Sequence, residues 1–394
     1  MTQTQLASTQ YLDTQLNVHS RLQQLGEWHE QWQQQHAQLS TQLRQLNPNE
    51  HFDIQRGAQL AQILPRLRMK LVQIPLEIAP DVIQAVGYEA LRQHLVQQFV
   101  TLSQADRLLW LQNFLFIMTP DLRRLNDKLT SVRAYRSFGQ RRNFLLGGAS
   151  GMGKSTYLDW YTTCYFPTIE PDYNHVPVIK IDAPVSNHTP KPLFQRIILA
   201  CGMAYLRSDN EEDLLMKMAL YLQTCGTELL VIDEVEHIHS AHLKRRLLEV
   251  SNLAPNLPIV CASCHPTSWV AGDTEVAGRW NDFFELRQYT GKRLQQLLAY
   301  LELLLPFPEP SLLALYEIQG SQSRTSDGPA RLIEHWTGGV LRDVMMLILD
   351  ASTRAIQQHL SCLTPSLLEE TWHNIQTHQV TDFLSLLQQR SQRQ

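Results

Sequence analysis

The chain has 394 residues, 43% of them hydrophobic, with 34 Lys and Arg against 38 Asp and Glu and a net charge of -4 at pH 7. That length suits two or three domains with sizeable cores, and the charge excludes a broadly basic surface while leaving room for a local basic patch. The chain starts without a charged-then-apolar leader and holds no apolar run long enough to span a bilayer, so a soluble cytoplasmic protein with no membrane partner is expected.

Residues 1–118 read as helical and rich in glutamine. Leu22, Leu25, Trp32, Leu39, Leu43 and Leu46 alternate spacings of three and four, with His29 and His36 filling the gaps. This is an amphipathic helix, which either packs inside an N-terminal helical domain or docks a partner protein. Asn47-Pro48-Asn49 breaks it, and a second helical stretch runs through Leu91, Leu95, Phe99 and Leu102 to Trp110 and Phe114. Between residues 119 and 288, apolar runs alternate with helical segments, the mark of a parallel α/β sheet. The runs are Asn143–Leu146, Val176–Ile181, Leu229–Ile232 and Pro258–Ala262. From residue 290 the chain is expected to be wholly helical: Arg293–Leu304, Ser311–Ile318, Arg331–Trp336 and Leu341–Ile356, with Gln319–Pro329 an exposed loop. Four segments follow from these changes: a helical region 1–118, an α/β domain 119–288, a helical lid 289–362 and a helical tail 363–394.

After the first apolar run stands Gly148-Ala149-Ser150-Gly151-Met152-Gly153-Lys154-Ser155, which fits G-x-x-x-x-G-K-[ST]. In the order strand, loop, helix, this pattern cradles phosphates: glycines turn backbone N–H groups inward and the helix adds its dipole. Gly148, Ser150, Gly151, Met152, Gly153, Lys154, Ser155 and Thr156 are the candidate ATP-binding residues, with Lys154 reaching the β- and γ-phosphates and Ser155 holding Mg²⁺. Leu229-Leu230-Val231-Ile232-Asp233-Glu234 ends a strand in two carboxylates. Asp233 suits the Mg²⁺ water shell, and Glu234 suits polarising a water for attack on the γ-phosphate. One intervening strand between loop and carboxylates suits an additional-strand ATPase.

Weaker signals surround this pair. At the end of the strand expected beside the phosphate loop, Ser263 is the candidate γ-phosphate sensor and Cys264 the alternative, and a strand end without nucleotide contact stays open. Arg279 is either a surface arginine or one that reaches a neighbouring subunit's γ-phosphate. Arg342, at the start of a late helix, either folds over the phosphates or forms a salt bridge near Asp343. Cys261-Ala262-Ser263-Cys264-His265 spells C-x-x-C-H but sits at a strand end with no export signal, so haem or zinc is disfavoured. His237, His239 and His242 read as solvated or locally hydrogen-bonded histidines rather than metal ligands.

Several segments together resemble AAA+ ATPases of the TnsC/TniB type, regulators of transposons that use a separate transposase and target selector. These are Val176–Pro184, Ile232–His237, the proline–serine stretch Leu304–Leu313, and Thr337–Arg342 running into Ala351 and Ala355. The likeness covers Thr119 to Leu360; the strand tip Cys-Ala-Ser-Cys-His stands where the family usually has Gly-Thr. The resemblance implies a P-loop AAA+ α/β fold, a three-layer domain with a parallel sheet, a small C-terminal helical lid and here an all-helical N-terminal extension. It implies weak, regulatory ATP hydrolysis with Glu234 as base, and Arg279 as the trans-acting finger, because the family pairs an arginine with an aromatic there. It further implies a homo-oligomeric ring or filament on double-stranded DNA, meeting a transposase and a TniQ/TnsD-type target selector, as in CRISPR-associated transposons among others. In such assemblies the loops Ser186–Lys191 and His239–Arg246 face the channel, which makes Lys191, Lys244, Arg245 and Arg246 candidates for DNA-phosphate contact. The competing classes are an AAA+ replication initiator or loader, a nucleotide-switch signalling ATPase and a small-molecule P-loop kinase. The first lacks room for a winged helix in Leu363–Gln394, the second lacks a repeat array, and the third fits poorly with the helical lid and the Asp-Glu pair.

Overall fold

The computed structural model describes residues 17–46, 87–114, 118–135, 143–165, 167–169, 174–185, 189–254, 256–319 and 325–377. The Asn47–Asn49 break, the start of the Ser186–Lys191 loop and the tail beyond residue 377 lie outside them. The described residues divide into two compact units. One draws on Met1–Gly26, Ile74–Met118 and Gln288–Gln394, the other on Glu27–Gln73 and Thr119–Arg287.

The second unit is built on strands in the order the apolar runs suggest. β1 is Phe144–Gly147; β2 (Thr168–Ile169) and β3 (Asn174–His175) form a small antiparallel ribbon; β4 is Val178–Asp182, β5 Leu229–Asp233, β6 Ile259–Ser263 and β7 Asp282–Glu285. β4, β5, β6, β1 and β7 lie side by side in that order, every pair parallel. β1, β5 and β6 are buried along their whole length, which explains their continuous apolar runs. Asn143 pins the base of the sheet: its carbonyl accepts the Ile259 N–H at 2.9 Å and its amide donates to the Ser251 hydroxyl at 3.2 Å. Helices Lys191–Ala200 and Glu211–Thr224 pack Leu193, Phe194, Ile197, Leu214, Leu215 and Met218 into the same core as Ile179 and Ile232. The second of these starts from a capping box, in which Asn210 takes the Glu212 and Asp213 amides and Asp213 returns a bond to the Asn210 N–H. The topology explains the motif spacing: β6 is the additional strand between β1, which carries the phosphate loop, and β5, which carries the carboxylates.

The first unit is helical. Tyr88–Val100 and Gln104–Phe114 pack with Gly291–Leu304, Pro329–Thr337, Leu341–Gln357 and a helical segment over 365–377. The stretch from Leu91 to Phe114 is therefore two helices, separated at Ser103, whose hydroxyl accepts the Asp106 N–H and donates to its carboxylate. Trp110 donates its indole N–H to the Leu304 carbonyl at 2.8 Å and meets Phe99 edge-on, with ring centroids 5.5 Å apart. The long helix Val18–Gln45 crosses the division at Gly26. Its Val18 N–H bonds the Gln98 side chain at 2.7 Å, Leu25 is buried, and Leu39 and Leu46 are half-buried.

Two sequence expectations fail in this unit. Ser311–Ile318 is not a helix, and the region after residue 290 is not wholly helical. Pro306, Pro308 and Pro310 precede a turn in which Leu312 takes φ +54°, and the Glu302 carboxylate accepts the Leu312 and Leu313 amides at 2.7 and 3.0 Å. Those amides are thereby withdrawn from any helical ladder. The Gln319–Pro329 stretch is not wholly loop: Gln319 ends β8 (Glu317–Gln319), which pairs antiparallel with β9 (Thr325–Asp327) inside the stretch, and the next helix starts at Pro329.

Candidate functional site

The phosphate loop leaves β1 at Gly147 and enters its helix, Lys154–Cys164, from Gly153. Gly151 and Gly153 adopt φ +81° and +86°, the left-handed region that glycine enters without strain. Gly148 has a second constraint: a Cβ there would stand 2.6 Å from the Leu286 carbonyl, whose residue donates its N–H to Gly147 at 2.9 Å. Met152 is buried beneath the loop, while Ser150, Ser155 and Thr156 are exposed on it and on the first helical turn. Lys154 is 6% exposed; its ammonium donates to the Gly148 carbonyl, to the Ala149 carbonyl at 3.1 Å and to Cys264 Sγ at 3.4 Å. The cation is thus held at the mouth of the loop by neutral acceptors.

One strand further, β5 delivers Asp233 and Glu234 to the same edge of the sheet. Asp233 is buried and its Oδ1 accepts the Glu234 N–H at 2.9 Å, which fixes its rotamer. Its Oδ2 is a buried oxygen that accepts no hydrogen bond, with the Lys180 ammonium 3.3 Å away at ion-pair distance but outside hydrogen-bond geometry. Glu234 sits at φ +56° with its side chain half-exposed and His237 Nε2 at 3.7 Å. The left-handed residue turns the chain sharply into a short 3₁₀ turn, Val235–His237, and so presents the carboxylate beyond the strand tip.

Between the two motifs lies the tip of β6, with Gly147 in register with Ser263. Ser263 is fully buried and its hydroxyl accepts the His265 N–H at 3.0 Å, while the Glu236 carboxylate accepts the Cys264 N–H at 3.4 Å. Cys264 carries the thiol that meets Lys154. Burial works against the charge of Glu236, but its own amide, the Ser263 hydroxyl and the Cys264 thiol and amide together hold its carboxyl below the usual carboxylate range. Burial pushes the Cys264 thiol up, with Lys154 acting in the opposite sense.

Two participants escaped the sequence reading. Glu236 ties the turn after β5 to the tip of β6, and its only signal was its place two residues past Glu234. Lys180 interrupts the apolar run of β4 and draws in Asp159 Oδ1 at 2.7 Å and Asp182 Oδ1 at 3.4 Å besides Asp233. Burial opposes its charge, yet the Asp159 hydrogen bond and the three carboxylates raise its pKa.

The remaining candidates make other contacts. Arg279, at the end of helix Thr274–Arg279, donates to Asn252 Oδ1 at 3.2 Å. Arg342 belongs to the other unit, where it is exposed and bonded to Asp343 at 3.1 Å. Lys191 donates to the Asp209 carbonyl at 3.2 Å. Lys244 is 9% exposed, donates to the Trp269 carbonyl and lies 5.5 Å from the Trp269 ring centroid, so its ammonium is turned inward. Arg246 is paired with Glu211, Glu212 and Glu249, whereas Arg245 is exposed. No group of three or more potential metal-ligating His, Cys, Asp or Glu occurs among the described residues, and the six cysteines are free. His237 and His242 instead face Glu234 and Glu211. Among the described residues no helix is long and apolar enough to cross a membrane.

A parallel sheet with one strand between a phosphate loop and an acidic strand end defines a P-loop α/β ATPase of the AAA+ type. Residues 107–281 match the family model described as "Bacterial TniB protein". No protein with curated annotation matches the chain. Similar solved structures include the ORC1 protein of Aeropyrum pernix in complex with DNA, at 15% identity over 68% of this chain and 69% of that one, with TM-score 0.47. The Thermotoga maritima RuvB Holliday junction branch migration motor is 16% identical over 64% and 68%, with TM-score 0.39. Drosophila ORC bound to DNA is 12% identical over 69% and 66%, with TM-score 0.43.

Proposed function

We propose that this protein is an ATP-gated regulator of transposition that assembles as a homo-oligomer on double-stranded DNA. In that assembly it meets a transposase and a TniQ/TnsD-type target selector, and hydrolysis takes it apart. The observation that carries this reading is the TniB match over 107–281, which spans the phosphate loop, both carboxylates and Arg279.

The chemistry assigned to each group follows from its setting. The exposed loop amides and the Lys154 ammonium receive the phosphates, Lys154 exchanging its bonds to loop carbonyls for phosphate oxygens. The orphaned Asp233 Oδ2 and the exposed Ser155 hydroxyl are oxygen donors of the kind a hard divalent cation takes. They would hold Mg²⁺, which when bound neutralises phosphate charge. Glu234, half-exposed and free of a short ion pair, orients and deprotonates the attacking water. Cys264, beside Lys154, is favoured over Ser263 as the group that feels the γ-phosphate. Among the described residues Arg279 has a single neutral acceptor, worth about 1 kcal/mol, and it is assigned to a neighbouring copy's γ-phosphate. Arg342 is assigned to the nucleotide from the helical unit. For DNA backbone contact, Lys191 and the exposed Arg245 are retained, and the inward Lys244 and the glutamate-bound Arg246 are not.

Electron microscopy of the protein with duplex DNA and a slowly hydrolysed ATP analogue tests the reading. Rings or filaments are expected with the analogue and not with ADP. Dispersed monomers under conditions where the analogue is bound would overturn it.

A further inference from the structure

Lys244 carries its charge into the protein. It lies near the start of helix Ala241–Leu253, next to the exposed Arg245, where a lysine ordinarily keeps its ammonium in water. Instead it is 9% exposed, and its ammonium donates to the Trp269 carbonyl and stands 5.5 Å from the centroid of the Trp269 ring. Burying an ammonium is costly unless it is hydrogen-bonded, and here both contacts run to one residue. Trp269 belongs to the short helix Pro266–Val270. Its buried ring meets the buried Trp280 ring edge-on, with centroids 5.7 Å apart and planes at 88°. The Trp269 indole N–H has no acceptor among the described residues, so packing and the ammonium over its face orient the ring. Trp280 follows Arg279 and closes helix Thr274–Arg279, its N–H donating to the Val276 carbonyl at 3.0 Å.

Arg279 is thereby held from helix Ala241–Leu253 at two levels. Its guanidinium donates to Asn252 Oδ1 at 3.2 Å, a neutral acceptor that it can give up. Its backbone is fixed by the Trp280 ring, which rests on Trp269, which Lys244 ties down. Lys244 and Asn252 stand about 12 Å apart along their helix. Release of the Asn252 bond frees the arginine side chain, and the aromatic brace keeps its root in place. We propose that Lys244 is a positioning residue for Arg279 in hydrolysis by the neighbouring copy. Through Trp269 and Trp280 it holds the root of the arginine where the side chain reaches that copy's γ-phosphate. Arg245, the next residue of the same helix, is assigned to DNA, so a subunit's grip on DNA and the arginine it lends its neighbour share one stretch of helix. This inference rests on the assignment of Arg279 to a neighbouring copy.

Mixing two impaired variants tests it, because a residue that serves the neighbour's site can be rescued by a neighbour. With duplex DNA and saturating ATP, Lys244→Met is expected to release phosphate about 10–100-fold more slowly than wild type, as a misplacement near 1 Å does, with its affinity for a fluorescent ATP analogue kept within about twofold. Lys244→Arg, which keeps a cation over the ring, is expected to retain most of the rate. Glu234→Gln subunits keep Arg279 in place and lack the base. An equimolar mixture of Lys244→Met and Glu234→Gln is expected to recover about a quarter of the wild-type rate, because in a head-to-tail assembly about one interface in four pairs a competent site with a competent arginine. Arg279→Ala mixed with Glu234→Gln is the reference and is expected to recover equally. No recovery with Lys244→Met beside recovery in the reference would overturn the inference and leave the assignment of Arg279 standing. No recovery in the reference would overturn that assignment and the inference with it. Wild-type turnover by Lys244→Met alone would equally dismiss Lys244. If Lys244→Met does not fold, Trp269→Phe decides on the same terms. It keeps an aromatic ring in the core but shortens its reach to Trp280, and it is expected to lose about 3–10-fold in rate and to be rescued in the mixture.

Discussion

Glu234 combines two properties that a water-activating carboxylate needs: a strained backbone that throws it past the strand tip, and enough exposure to meet a water. Replacing it by glutamine keeps the size and removes the base. Glu234→Gln is expected to bind ATP as wild type does and to release phosphate about 10²–10⁴-fold more slowly, as read by a phosphate sensor. Ordinary turnover would dismiss Glu234 as the base. The loop and the two carboxylates were legible in the sequence because their chemistry forces residue type and order together. Lys180 and Glu236 were not, because their partners come from other strands: Lys180 in Val-Ile-Lys-Ile-Asp reads as one polar position on an alternating strand. Likewise Ser263 and Cys264 could be told apart only by three-dimensional direction, one hydroxyl taking the His265 N–H and one thiol facing Lys154.

Among the elements, β1, β5 and β6 were visible because a strand buried on both faces is apolar throughout, and β4 because Val178, Ile179 and Ile181 stay apolar around Lys180. β7 was not, since Asp282–Glu285 is an edge strand with alternating half-buried and exposed positions, and its charges disguise it. The Ser311–Ile318 stretch carries leucines at helical spacing, yet Glu302 diverts its amides. That diversion is measurable. Glu302→Ala removes the acceptor of two amides, one of them at the fully buried Leu313, and is expected to lower the stability of the helical unit by about 1–3 kcal/mol in urea unfolding. Glu302→Gln, which keeps one acceptor oxygen, is expected to lose less. Equal stability of the alanine variant and wild type would show that water satisfies those amides.

On the proposed reading, DNA contact by the assembly without base readout is electrostatic, so its strength is expected to fall steeply with salt. Lys191→Glu combined with Arg245→Glu is expected to abolish DNA-stimulated assembly while leaving ATP binding intact, measured by light scattering and nucleotide fluorescence. Retained assembly would move the DNA path elsewhere. The grouping of the chain into units was the least legible feature in the sequence, because residues 88–114 carry no mark of their distant partners. The Trp110 bond to Leu304 joins residues 194 positions apart. During synthesis at roughly 5–20 residues per second, the chain emitting Trp110 waits on the order of 10–40 s for Leu304 to be made. The sheet between them can close in that interval, while Leu91, Leu95, Phe99 and Trp110 still lack the partners of their unit that lie in Gln288–Gln394. Apolar surface on these helices therefore stays open on the nascent chain while the sheet forms, and chaperone binding there would influence its yield.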